Sequence, residues 1–140
     1  MIEQIEHMRV RWIDTDAAGH IHYAAVWNYF ETAEHELLRT LGVPYSRMHQ
    51  KLGFPRVEVW ARFKKPLYYD DEIDVHCRIE KVGRSTVMFH YQIFKESLLS
   101  VEGGLTIVTV NGRGKPISHP PHFRKSLSRA LLKTTKRGKK

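Results

Sequence analysis

Cysteine occurs once in the 140 residues, at Cys77. That excludes an internal disulfide and any metal site built on several thiolates, and it fits a reducing compartment. The alternating apolar residues around Cys77 mark it as a buried thiol. No apolar run approaches the roughly 18 residues that a membrane-spanning helix requires. The acid-bearing opening Met1–His7 lacks the apolar stretch of a secretory signal, so the expected location is the cytoplasm. Acids are missing altogether from the last twenty positions. Eight of the 23 Lys and Arg lie in Pro121–Lys140 and none of the 15 Asp and Glu does, so the net charge of +8 belongs wholly to the tail. A neutral domain with a basic end is not the broad cationic face of a nucleic-acid binder. Phe123 is the only aromatic there, too few for base stacking.

A chain of this length builds one domain with a proper core. We place it at residues 1–120, with 121–140 as a basic extension, helical around Phe123, Leu127, Ala130 and Leu131 and disordered from Thr134 to Lys140. Within the domain, Met8, Val10 and Trp12 alternate with Arg9, Arg11 and Ile13, which predicts a first strand ending at Asp14. The period then changes. Val26, Phe30, Ala33, Leu37 and Leu41 recur at three- and four-residue spacing, a helix of about five turns that Gly42 and Pro44 terminate. Tyr45–Phe54 reads as a loop or a short helical piece. Period-two patterns at Val57–Phe63, Ile73–Ile79, Val87–Ile93 and Leu98–Val110 predict a four-stranded meander, with Gly103-Gly104 as a bulge. The fold class is α+β: a curved antiparallel sheet wrapped around one long helix. One helix cannot cover both faces of that sheet, so an oligomer is expected, with Trp12 and Trp60 on or near the open face.

Asp14-Thr15-Asp16-Ala17-Ala18-Gly19-His20-Ile21-His22-Tyr23 runs directly into the helix. Two carboxylates and two imidazoles therefore stand at a helix N-terminus, where unpaired backbone N–H groups and the macrodipole favour developing negative charge. Acyl transfer suits such a place. Taken alone, both aspartates also serve as turn or capping residues. His20 and His22 beside them have metal-ligand chemistry, but no distant third ligand is indicated.

The order Asp14–Tyr23, Tyr29-Phe30-Glu31, Phe63…Pro66-Leu67…Asp71 and Gly83-Arg84-Ser85-Thr86 resembles the hotdog-fold acyl-CoA thioesterases, in particular the 4-hydroxybenzoyl-CoA thioesterase and YbgC-type branch. The likeness spans roughly residues 5 to 120. It implies hydrolysis of a CoA thioester to a free acid and CoA, with no cofactor, no metal and CoA only as part of the substrate. Edge-to-edge dimers, often paired into tetramers, and active sites at subunit interfaces are implied as well. Asp16 takes the place of the catalytic aspartate, as nucleophile or general base. Backbone N–H groups around His22, Tyr23 and Ala24 would hold the carbonyl oxygen, Tyr23 foremost. Glu31 is the second candidate acid. His20 and His22 fall to positioning turn or substrate, and Gly83, Arg84, Ser85 and Thr86 to the CoA phosphates or pantetheine, with Lys64, Lys65, Arg124 and Lys125 as further cations. Tyr29, Trp27 and Phe54 would set the depth of the acyl pocket. One departure stands out: Glu34, followed by His35, sits where YbgC-type chains tend to carry arginine. Two other functions remain open: a hotdog domain that binds acyl-CoA or acyl carrier protein without hydrolysing it, and a nucleic-acid role for the tail.

Overall fold

The computed structural model describes residues 2–48 and 50–138, with side chains as far as Leu131. Five strands and three α-helices follow in the order β1 (Glu3–Arg9), α1 (Ala25–Thr40), α2 (Tyr45–Met48), β2 (Arg56–Phe63), β3 (Glu72–Val82), β4 (Thr86–Lys95), β5 (Leu98–Val108) and α3 (Pro121–Gly138), with a 3-10 turn at Trp12–Asp14. The strands make one antiparallel sheet in the order β1-β3-β4-β5-β2. It is α+β, a sheet against one long helix. Only β3-β4-β5 is a meander; β2 pairs with β5 at one edge and β1 with β3 at the other.

The apolar stripe of α1 is buried as its spacing demands: Val26, Phe30, Ala33, Leu37 and Leu38 are fully enclosed. The helix lies over β3 and β1, and Phe30 stacks on Tyr91 of β4 with ring centres 4.3 Å apart. It ends where expected. Leu41 caps it, and Gly42 takes the left-handed conformation, φ +79°.

Three expectations need correction. The first strand starts and stops earlier, at Glu3–Arg9, and Trp12 and Ile13 stand exposed in the 3-10 turn. The alternation Met8–Val10–Trp12 continued past the point where Val10 leaves the sheet to bond with Asp70 and Asp71. Gly103-Gly104 is no bulge, for its register with β2 and β4 is unbroken. The two glycines make room for rings instead. A Cβ on Gly103 would lie 2.5 Å from Phe30, and one on Gly104 2.3 Å from the Trp60 indole. Finally, α3 runs on to Gly138, through Thr134–Gly138 where disorder was expected; Lys139 and Lys140 lie outside the described residues. Phe123, Leu127 and Ala130 are buried in the main core, so the boundary at residue 120 does not divide the packing.

Candidate active site

The segment between β1 and α1 is built by short-range bonds. Asp16 and Gly19 close a tight turn, with Gly19 N–H donating to Asp16 O at 3.0 Å and Asp16 N–H to His20 O at 2.8 Å. Gly19 sits at φ +84°, which glycine adopts without strain. Thr15 and Ile21 bridge behind the turn, and Ile21 N–H is anchored on Leu67 O at 2.7 Å.

The two aspartates part company here. Asp14 is buried, and its carboxylate accepts from the Tyr29 hydroxyl at 2.6 Å, from Arg11 N and Nε at 3.2 and 3.1 Å, and from Arg11 Nη2 at 3.1 Å. Burial by itself would push this carboxyl up, but the bonds from Arg11 and Tyr29 outweigh it and hold it below its ordinary value. Tyr29 is pushed up by burial and by the carboxylate against it. Asp14 is thus fully engaged as a structural tie. Asp16 is exposed; one oxygen accepts the Ala18 N–H at 2.9 Å, and its other oxygen has no partner among the described residues.

The helix mouth has no capping side chain of its own, since the cap position is Ala24. His22 does that work: its Nδ1 accepts the Ala24 N–H at 3.1 Å, which places the ring proton of the neutral form on Nε2. His22 N–H donates to Asp14 O at 2.7 Å. Of the three N–H groups named from the sequence, two are therefore occupied, and only that of Tyr23 has no acceptor among the described residues. The Tyr23 ring is 67% exposed and stacks on His22 at 4.8 Å. His20 packs against Tyr68, ring centres 5.0 Å apart, beside a cavity of roughly 270 Å3 that Phe63, Lys64 and Lys65 also line. Among the described residues no three His, Cys, Asp or Glu converge as metal ligands.

Glu31 stands two turns along α1 from Tyr23, away from the Asp16 turn, in a cavity of roughly 220 Å3 with Trp27, Arg56, Val59 and Leu105. Gly83–Thr86 is farther still. Glu72 of β3 adjoins the Asp70–Asp71 bonds of Val10, whereas Val82 opens the hairpin ten residues on, about 33 Å along the strand. One protomer does not bring Asp16 and that hairpin together. The hairpin is stapled to the C-terminal segment: Arg84 Nη1 donates to Ser118 Oγ at 2.7 Å, His119 Nε2 to Thr86 O at 2.9 Å, and Arg124 Nη2 to Gly83 O and Arg84 O at 2.8 and 2.9 Å. Arg124 does reach the hairpin, but it holds carbonyls.

The ion pair between buried Glu34 and partly exposed Arg56 was not anticipated as a unit. Glu34 is fully buried and accepts from Arg56 Nη2 at 2.8 and 2.9 Å, from the Tyr45 hydroxyl, and from the Tyr91 hydroxyl at 3.4 Å. Desolvation raises its carboxyl, and Arg56 opposes that shift. A signal existed: Glu34 is four residues after Phe30 and three before Leu37, inside the apolar stripe.

The profile of the thioesterase superfamily matches residues 18–102. An Aquifex aeolicus protein that carries an esterase name is 37% identical over 117 residues, 83% of this chain and 91% of that one. The acyl-CoA thioesterase YbgC of Haemophilus influenzae is 27% identical over 81% of this chain and 85% of its own length. The DHNA-CoA thioesterase of Staphylococcus aureus superposes with a TM-score of 0.91 at 25% identity, covering 97% of this chain and 95% of that one. The chain belongs to the thioesterase superfamily, thioester hydrolases of the hotdog fold.

Proposed function

We propose that this protein is a cytoplasmic acyl-CoA thioesterase, with Asp16 as the acting carboxylate and the Tyr23 N–H as the oxyanion donor. The observation that carries this reading is that Asp16 and Tyr23, seven residues apart on the segment leading into α1, keep a carboxylate oxygen and a backbone N–H without partners among the described residues. A thioester carbonyl placed between them has its oxygen on Tyr23 N–H and its carbon open to Asp16. In the nucleophilic route, the carboxylate adds to that carbon and expels CoA thiolate, leaving a mixed anhydride that water opens to the free acid. In the general-base route, Asp16 takes a proton from the water that attacks, and the thiolate leaves protonated. Both need only this chain's groups and water.

A second copy completes the site in this reading. β2 is an edge strand whose Val57, Val59 and Phe63 are 60%, 47% and 49% exposed. Pairing it antiparallel with the β2 of a second copy reverses the partner, so that the partner's Gly83–Thr86 end comes to the side where Asp16 lies, with Arg84 available for CoA phosphates. His20, Lys64 and Lys65 line the approach. The decisive experiment measures free CoA from a panel of short, long and aromatic acyl-CoAs, and from acyl carrier protein thioesters, for the parent, Asp16→Ala and Asp16→Asn. Turnover is expected to fall more than about 100-fold in both variants with binding retained. Unchanged turnover moves the role to Glu31. A parent that binds acyl-CoA and hydrolyses none is a binding domain.

A further inference from the structure

Helix α1 covers β3 and β1 and leaves the β2 edge open. Directly paired residues of an antiparallel sheet share a face. Val59 is paired with Leu105, Ala61 with Gly103, Phe63 with Val101 and Arg56 with Ile107, all of them partners on the helix side. An apolar trough therefore runs between the strand and the helix. Val59 and Leu105 floor a cavity of roughly 220 Å3 whose wall is Trp27 and whose far end is Glu31 and Arg56, and Ala61 and Phe63 continue the same face of β2 back toward a second cavity beside His20, Lys64 and Lys65.

In the thioesterase reading the acyl chain enters from the Tyr23 N–H, which lies four residues before Trp27 and eight before Glu31. From there to Glu31 is eight residues of helix, about 12 Å at 1.5 Å per residue. From Phe63 to Val59 along the floor is about 13 Å. What ends it is unusual: a guanidinium that cannot swing aside, because Nη2 is bonded to both oxygens of a fully buried carboxylate and Nη1 to Phe54 O at 3.2 Å. With Glu34 balancing its charge and Glu31 beside it, Arg56 is a poor hook for an anionic group. It is also a poor surface for a methyl end, which would strip water from two charged groups and return no hydrogen bond.

We propose that Arg56, positioned by Glu34, is the end-stop of the acyl site, so that the enzyme accepts uncharged acyl groups up to about ten carbons, the reach of about 12 Å. This rests on the thioesterase reading and adds a length limit to it. Glu34 acts through Arg56 and is a positioning residue.

The test is the dependence of kcat/KM on chain length, from butyryl- to tetradecanoyl-CoA, in three proteins. The parent is expected to lose at least about 10-fold between decanoyl and tetradecanoyl. The double variant Glu34→Gln/Arg56→Met removes both charges and keeps an acceptor for the Tyr45 and Tyr91 hydroxyls. It is expected to flatten that loss to less than about 3-fold. Val59→Trp, on an exposed edge position, is expected to move the fall to shorter chains. A folded double variant with the parent's profile, a parent without a fall, or an unshifted Val59→Trp each overturns the proposal. Should the double variant fail to fold by circular dichroism, Val59→Trp and the parent decide. Should the parent hydrolyse nothing, the thioesterase reading fails on its own. The end-stop is then judged by the affinities of non-hydrolysable acyl-CoA thioethers, read by isothermal titration calorimetry, over the same lengths in the same proteins.

Discussion

Asp14 and Asp16 are two residues apart and differ in every physical respect that bears on reactivity. Asp14 is a stability group. Its carboxyl is held low in the folded protein, so its contribution is complete above the ordinary carboxylate pKa and is lost as the pH falls through the folded value. Urea denaturation from pH 7 down to pH 3 should show this as a falling limb below about pH 4 in the parent. Asp14→Asn should be less stable at pH 7 and flatter on the acid side; an unchanged limb would remove Asp14 from the account. Tyr23 offers a separate check, because the role proposed for it lies in the backbone. Tyr23→Phe and Tyr23→Ala should keep kcat within about 3-fold, whereas loss of a well-aimed oxyanion donor is worth 100-fold or more. A large fall in Tyr23→Phe would assign the work to the hydroxyl. Gly103 is limited by Phe30 on one side and by the Trp60 carbonyl, 2.7 Å from a built Cβ, on the other. Backbone yields less than a side chain, so Gly103→Ala should destabilise by about 1–3 kcal/mol in thermal unfolding.

At the scale of elements, periodicity carried most of what could be read. The stripe from Val26 to Leu41 and the alternations through Ile73–Ile79 and Val87–Ile93 describe surfaces that must be buried, and they are. Whatever depends on contacts distant in sequence escaped the pattern. The β1 register with β3, the rings that occupy the Gly103-Gly104 space and the ion pair between α1 and β2 all join residues far apart in the chain. Asp16 was legible as a candidate through its motif. That, of the N–H groups of His22, Tyr23 and Ala24, the one of Tyr23 alone has no acceptor among the described residues was not, because it follows from where the His22 ring turns. The C-terminal helix is the clearest case of charge hiding packing. Its basic composition drew attention to solvent, yet Phe123 and Leu127 are buried to 1% and 0% exposure. Leu127→Ala should therefore cost about 2–5 kcal/mol by urea denaturation; a value under about 0.5 kcal/mol would return α3 to the status of an appendage.

For the whole molecule the question is assembly. The proposed site draws on both ends of the sheet, and a single chain keeps those ends about 33 Å apart. Light scattering across a dilution series should find a dimer or larger. Val57→Lys, a charge on the exposed edge and outside the acyl trough, should shift the mass toward the monomer and reduce turnover together. A fully active monomer would sink the shared-site arrangement. The strand order also has a consequence for synthesis. Because β2 pairs with β5, Arg56 finds its neighbour only when Ile107 has been made, and Phe123 and Leu127 seal the core later still. During translation the half-finished chain holds an apolar edge with nothing to pair with, a state open to wrong partners. Slow emergence, low temperature or a holding chaperone should matter more to the yield of this protein than to its activity once made.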